Sequence, residues 1–392
     1  MKLLSSELRL QQFSEMNLAP PLMAALEKLG VATPTPVQIQ ALPVALSGAD
    51  LIAVAQTGSG KTLAFALPIL AAFRKDPLGR ALVLVPSREM ALQTQRVFES
   101  LWGDTPYTCV VAIGGVPDNK QNSQLKKNPR LVIATPGRLN DLLSDNKLLL
   151  QRTSIIVIDE ADRMLDLGFA PQLKSIKSTL RGTWQTLLFS ASFSRDVETV
   201  AGIFMREEVV MIRAALAEQP VSKLKQTVVL LTEAMKKDRL LEDLKGQSGN
   251  VIVFAGSQES CLNVGSHLKQ NGVSSDLIHG ELAQGHRSRV IRDFRDGKFR
   301  VLVTTDLLAR GLDFPSVELV INYDLPFQPE DFLHRIGRTA RAGRSGTALT
   351  YLTPTDNKKK ALIAPYLEGA REIQPDSRIN FAKHRPSDKP RK

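Results

Sequence analysis

Two short stretches carry residue types that could do chemistry together. The first is A-Q-T-G-S-G-K-T at residues 55–62, directly after the apolar run at residues 51–55. Gly58 and Gly60 let backbone N–H groups turn toward an anion, Lys61 offers a mobile positive charge, and the Thr62 hydroxyl can ligate a hard cation. Gln56, Thr57 and Ser59 complete the loop, and Ala55 stands where a Walker-type loop has its first glycine. The second stretch is I-I-V-I-D-E-A-D at residues 155–162. Its adjacent carboxylates can divide divalent-metal work: Asp159 holds Mg²⁺, directly or through water, and Glu160 polarises an attacking water. A phosphate cradle beside a metal-and-base pair suits hydrolysis of a nucleoside triphosphate. Either stretch alone also fits something plainer, a glycine-rich turn or a solvated acidic turn.

Strands and helices must hold these residues in place. Residues 155–158 are apolar, β-branched and too few for a helix, so they read as a buried parallel strand. The same reading applies to residues 51–55, 81–85, 108–113, 131–134 and 186–189, and to 224–231, 251–254 and 301–304 in the second half. Ligands of open α/β sheets bind beyond the carboxyl ends of the strands, which is where both chemical stretches begin. Residues 63–72 read as a helix that turns its positive end toward the loop. Residues 13–30 read as an amphipathic helical region, and in T-P-T-P-V-Q (33–38) the prolines fix an extended segment that puts Gln38 at the start of the next helix.

Three more strand ends carry small, hydroxylated or arginine residues. These are P-S-R-E-M-A (86–91, with Pro86 and Arg88), Gly114–Gly115, and T-P-G-R-L (135–139, with Thr135, Gly137 and Arg138). Amides, hydroxyls and guanidinium groups suit phosphodiesters rather than base edges, so together they read as a backbone-binding track. S-A-S at 190–192 places Ser190 and Ser192 where short hydroxyls can bond Asp162 and report nucleotide state.

Composition narrows the class. A length of 392 residues suits two domains, and 43% hydrophobic content suits ordinary globular packing. A net charge of +11 points to a polyanionic partner. Two distant cysteines, Cys109 and Cys261, make no disulfide framework or Cys-rich metal site and fit a reducing, cytoplasmic setting. The N-terminus lacks the apolar core of a signal peptide, and no apolar run approaches about 18 residues, so no membrane span is expected.

The ordered set A-Q-T-G-S-G-K-T, P-S-R-E-M-A, T-P-G-R-L, D-E-A-D and S-A-S resembles the DEAD-box ATP-dependent RNA helicases of helicase superfamily two, over roughly residues 13–365. That resemblance implies an α/β fold of two tandem RecA-like domains, each a mostly parallel sheet flanked by helices. The expected divisions are an N-terminal domain (1–213), a linker (214–223), a C-terminal helicase domain (224–367) and a basic, disordered tail (368–392). It implies ATP and Mg²⁺ as cofactors and RNA as a partner held through its phosphate backbone with little sequence preference. Ribonucleoprotein or RNA-processing proteins would be further partners, without a membrane.

The resemblance also assigns roles. Gln38 would read the adenine edge. In H-G-E-L-A-Q-G-H-R (279–287), Gln284 and Arg287 would lie near RNA. In T-D-L-L-A-R-G-L-D (305–313), Thr305 would touch RNA, Gly311 would lie by the phosphates and Asp313 would bind ribose. In H-R-I-G-R-T-A-R-A-G-R (334–344), Arg338 and Arg341 would be arginine fingers on the γ-phosphate, while His334 and Arg335 would join Asp162, Ser190 and Ser192 in coupling. Spacing by three predicts that Arg335, Arg338 and Arg341 share one side of a helix. The second half has no Walker loop and is expected to complete the first half's pocket.

Several positions depart from the family pattern: Val31 replaces an aromatic, Ser192 a threonine and Ala340 a glycine, and Ser87 and Met90 replace threonine and leucine. None removes a charged catalytic group. Val31 lacks a flat π-face for the adenine, which predicts weaker ATP binding. The expected activity is local separation of short RNA duplexes coupled to ATP hydrolysis. An ATP-gated RNA clamp or remodelling scaffold is the alternative, and a DNA translocase is a second. The tail from Arg371 to Lys392 carries seven Lys or Arg against three Asp or Glu and reads as a non-specific RNA tether.

Overall fold

A computed structural model describes residues 2–3, 12–55, 58–103, 107–145, 150–214, 224–306, 317–340 and 345–373. They fall into two compact units that divide between residues 219 and 220. The linker positions 215–223 and the tail positions 374–392 lie outside the described residues.

The first unit holds β1 (Lys2–Leu3), β2 (Asp50–Val54), β3 (Arg80–Leu84), β4 (Cys109–Ala112), β5 (Leu131–Ala134), β6 (Thr153–Asp159), β7 (Gln185–Ser190) and β8 (Val209–Arg213). They form one sheet in the order β1-β8-β2-β7-β6-β3-β5-β4. Every pairing is parallel. Unbroken apolar runs are what such a sheet needs, because successive side chains feed opposite faces and both faces are covered. Ile155 and Val157 join one core with Phe65, Phe98 and Phe189, against helices Pro36–Leu46, Lys61–Lys75 and Arg88–Trp102. Ile156 and Ile158 join the other, against helices Ala170–Thr179 and Arg195–Phe204. The region read as one amphipathic helix over 13–30 is instead a 3₁₀ turn at Phe13–Met16 and a helix at Pro20–Lys28, separated at Asn17, whose φ of 56° lies in the left-handed region.

Parallel pairing brings the strands' carboxyl ends out along one edge. Residues following β2, β7 and β6 are therefore neighbours, and those following β3, β5 and β4 come next. The opposite edge is stapled by charge. Asp50, fully buried at the start of β2, accepts from Thr186 N and Arg206 N, both at 2.8 Å, and from Arg206 Nη2 at 2.7 Å. The Arg130 guanidinium donates to the carbonyls of Phe73, Asp76 and Gly79 and lies 4.2 Å from the centroid of the Phe73 ring. It thereby adds donors to carbonyls at the end of helix Lys61–Lys75 and its following turn.

The second unit holds β9 (Leu224–Leu230), β10 (Asn250–Phe254), β11 (Ser275–Ile278), β12 (Val301–Thr304), β13 (Val317–Asn322), β14 (Gly346–Leu352) and β15 (Arg371–Ile373), in the order β11-β12-β10-β13-β14-β9-β15, again parallel. The segment read as the start of a disordered tail thus supplies an edge strand: Arg371, Glu372 and Ile373 pair with Thr227, Val228 and Val229. No helix among the described residues is long and apolar enough to cross a membrane.

Helix Pro329–Ile336 stops with Gly337 as its C-cap, so Arg335 and Arg338 do not share a helical side. Thr339 then bridges to Val317, and Ala340 takes a φ of 56°. Arg341 lies outside the described residues.

Asp50→Ala strands the buried Thr186 N–H and the part-buried Arg206 N–H and leaves the Arg206 guanidinium only the Gly48 carbonyl, so it should cost about 3 kcal/mol; a denaturant midpoint for the first unit that does not move would refute this role. Ala340→Gly relieves a left-handed Cβ clash and should stabilise the second unit by about 1 kcal/mol at an unchanged m-value; a lower midpoint would show that the strain is absent.

Candidate nucleotide and nucleic-acid site

The loop after β2 is shaped by its glycines. Gly58 and Gly60 have φ of 82° and 93°, a region that Cβ-bearing residues rarely adopt. Gly60 also caps helix Lys61–Lys75, and a Cβ there would sit 2.5 Å from Gln38 Nε2 and 3.0 Å from Thr35 Oγ1. Ala55 N donates to Ser190 O at 2.9 Å, tying the loop to the end of β7. Lys61 is buried, and its Nζ donates to Ala55 O at 3.1 Å, so the ammonium lies across the loop it would share with a phosphate. Thr62 follows in the helix's first turn.

Gln38 is placed differently from a free reader of the adenine edge. It is 1% exposed; its Oε1 accepts from Thr35 N and its Nε2 donates to Gly60 O, both at 2.9 Å. The side chain therefore joins helix Pro36–Leu46 to the phosphate loop, with one further N–H and one lone pair remaining by valence for a base. Val31 is partly buried and packs against the first unit's core.

At the end of β6, Asp159 is 4% exposed, and its Oδ1 accepts from Glu160 N at 3.0 Å. Burial pushes this carboxyl up to about 6; the Lys61 ammonium opposes the rise, and the Glu160 and Asp162 charges add to it. Glu160 is buried with φ 53° and ψ 54°, a left-handed conformation that costs an L-residue roughly 1–2 kcal/mol. Asp162 binds the S-A-S segment directly. Its Oδ2 accepts from Ala191 N at 3.1 Å, Ser192 N at 3.2 Å and Ser192 Oγ at 3.4 Å, and its own N–H donates to Ser190 Oγ at 3.3 Å.

These donors fit Mg²⁺. A hydroxyl and a carboxylate are hard oxygen ligands, and the cost of keeping Asp159 ionised in a buried position falls when a cation is near. Among the described residues no group of three or more His, Cys, Asp and Glu could hold a metal alone, so phosphate and water oxygens must supply the other ligands.

Along the adjacent half of the sheet edge, the three loops of the predicted track meet. Ser87 Oγ caps helix Arg88–Trp102 by accepting from Met90 N. Gly114 lies against the Arg88 guanidinium, since a Cβ there would be 2.7 Å from Arg88 Nη2. Gly115 has a φ of 80° and is exposed. Thr135 is nearly buried, and its N–H donates to Ala112 O at 3.1 Å. Gly137 is 3.7 Å from the Phe169 ring, measured from where its Cβ would stand. Pro86 is buried and offers no ring surface to a ligand. Arg138, read as an RNA contact, donates to Val116 O at 3.1 Å and to Gln121 Oε1 at 3.3 Å. Gln121 is a buried amide that belongs to no motif, and nothing in the sequence marks it.

In the second unit Arg335 is a buried hub. It makes a bidentate pair with Asp306 beyond β12, donates to Asn322 Oδ1 at 3.3 Å and to Asp324 O, and sits 4.9 Å from the Phe254 ring centroid. Asp324 in turn accepts from Gly256 N, Ser260 Oγ and Lys236 Nζ. Burial works to raise Asp324, but those three donors outweigh it and hold the carboxyl below its usual range. Arg338 is 2% exposed, and its Nε donates to the carbonyl of His334. Thr305 follows β12 and Gln284 opens helix Gln284–Arg295, which also carries the nearly buried Arg287. Gln56, Thr57, Gly311, Asp313 and Arg341 lie outside the described residues.

Comparison with known proteins places this arrangement. A family model described as DEAD/DEAH box helicase matches residues 35–200, and one described as helicase conserved C-terminal domain matches 235–343. DEAD-box ATP-dependent RNA helicase 30 of Arabidopsis thaliana is 38% identical over 93% of this chain, which spans 63% of that protein. ATP-dependent RNA helicase DBP2 of Scheffersomyces stipitis is 35% identical over 95% of this chain and 73% of its own length. Among solved structures, S. cerevisiae Dbp5 bound to RNA and ADP BeF3 superposes with a TM-score of 0.81 at 33% identity, over 94% of this chain and 96% of that one. Mss116p bound to ssRNA and AMP-PNP gives 0.84 at 26% identity, over 96% and 82%. With both family models matched in succession and relatives of this identity over most of its length, the chain belongs to the DEAD-box helicase family.

Proposed function

We propose that this chain is an RNA-stimulated ATPase that separates short RNA duplexes locally. One observation carries the reading. The phosphate loop, the Asp159–Asp162 turn and the backbone-binding loops lie along a single sheet edge, and hydrogen bonds from Asp162 join the turn to the S-A-S segment.

In this mechanism Lys61 and the loop amides bind the ATP phosphates, while Thr62 and Asp159 hold Mg²⁺. When bound, the metal neutralises the phosphate oxygens and polarises the transferring group. Glu160 orients the attacking water and takes its proton. Arg338 and Arg341 are offered from the second unit to the γ-phosphate, where their forked guanidinium groups suit the charge that develops. Arg88, Gly115 and Thr135 hold RNA backbone on the first unit, and Gln284, Arg287 and Thr305 hold it on the second. Binding one strand at both units favours a bent single strand over a duplex, so strands part locally without long translocation. Gly311, Asp313 and a basic tail that tethers RNA complete the proposal, together with ribonucleoprotein partners in the cytoplasm.

Glu160→Gln keeps the shape and removes the base. It should retain ATP binding, lower RNA-stimulated kcat by about 10²–10⁴-fold and leave ATP-dependent RNA binding in place; turnover at the parent rate would remove Glu160 from the chemistry. Stimulation of the parent by single-stranded RNA should exceed that by DNA of the same sequence. Equal stimulation would point to a DNA translocase, and stimulation without strand displacement to a clamp.

A further inference from the structure

The geometry points to Gln121 as the positioning residue of the RNA-backbone site, an inference that rests on the reading of the 86–88, 113–117 and 135–138 loops as that site. Gln121 lies on the short, polar helix Asp118–Leu125, yet it is 1% exposed. Its Nε2 donates to Ile113 O at 2.8 Å and to Val116 O at 3.4 Å, and its Oε1 accepts from Arg138 Nε at 3.3 Å. Arg138 Nη2 returns to Val116 O at 3.1 Å. One buried amide therefore grips the glycine loop after β4 at both ends and fixes the arginine carried by the helix after β5.

This grip sets where the loop's donors aim. A trans peptide points its N–H opposite its C=O. Drawing the Ile113 carbonyl onto the buried amide therefore turns the Gly114 N–H away from Gln121, toward the loop's open side. Gly115, at φ 80°, continues that turn, and the Arg88 guanidinium closes against Gly114. A backbone phosphate on this face would meet an amide and a guanidinium already in register. Without the Gln121 amide, two carbonyls lose a donor and Arg138 loses an acceptor, and the loop is free to re-aim. Gln121 acts through Gly114, Arg88 and Arg138.

The test uses the full chain and a single-stranded oligouridine RNA, with ATPase rate measured against RNA concentration. Gln121→Ala removes all three bonds. Gln121→Glu keeps the shape and the Arg138 acceptor while removing both donors, so it stays informative if the alanine variant fails to fold. Both should raise the RNA concentration for half-maximal stimulation on the order of tenfold, with kcat at saturating RNA and the KM for ATP changing less than twofold. Adding Arg138→Ala to Gln121→Ala should cost less than the two single effects combined, because both act on the Val116 carbonyl. The inference is overturned if the glutamate variant keeps the parent's RNA dependence. A parallel fall in kcat, ATP affinity and melting temperature also overturns it, since that is general destabilisation. A parent chain that RNA does not stimulate defeats the proposed function itself, whereas a stimulated parent with an unaffected variant defeats this inference alone.

Discussion

The site depends on a carboxylate that the fold does not let reach water. β6 is paired on both sides, with β7 and β3, so its last residue cannot swing out of the sheet. Asp159 sits there nearly buried, with the Glu160 N–H and the Lys61 charge offsetting the loss of hydration, and its carboxyl still rises to about 6. A buried charge held this way is a cost carried by the surrounding core. The two hydrophobic layers packed on the sheet supply that stability, and a nearby cation would lower the cost. The paired strand that buries Asp159 is thus what sets that cost.

From that point strain and hydrogen bonding spread outward. Glu160 takes a left-handed conformation directly after the strand, which reverses the chain and starts helix Ala161–Asp166 at once. The reversal brings Asp162 within reach of the 190–192 segment, whose strand β7 lies between β6 and β2. Ser190 closes the path, because its carbonyl accepts from Ala55 N at the root of the phosphate loop. Two hydrogen-bonded steps thus connect the root of the phosphate loop to Asp162.

Much of this was legible in the sequence because it rests on residues with few substitutes. Gly58 and Gly60 are demanded by positive φ, and Gly60 also by the 2.5 Å approach of Gln38. The apolar run ending at Asp159 is demanded by a sheet covered on both faces. What could not be read was pairing at a distance. Asp50 with Arg206 spans 156 residues, and Arg130 with the Phe73 carbonyl spans 57. Charges of this kind, the buried Asp50 above all, look like surface residues until the fold brings their partners to them. Gln121 is harder still, since its partners are mostly backbone carbonyls, which have no sequence signature. The edge strand Arg371–Ile373 was hidden by charged neighbours, whose composition alone suggests a solvated tail.

The arginines of the 334–344 stretch show why spacing without a stop signal misleads. A period of three reads as one helical face only while the helix continues, and Gly337 ends it one residue after Ile336. The consequence is a division of labour. Arg335, still in the helix, turns inward and binds Asp306, Asn322 and the Asp324 carbonyl, so it joins the ends of β12 and β13 beneath the Phe254 ring at the end of β10. Its charge is fully engaged in architecture. Arg338, past the cap, takes its direction from the turn, with its Nε on the His334 carbonyl of the helix just ended. Ending it at Gly337 keeps Arg335 inside the sheet's edge and gives Arg338 a separate orientation.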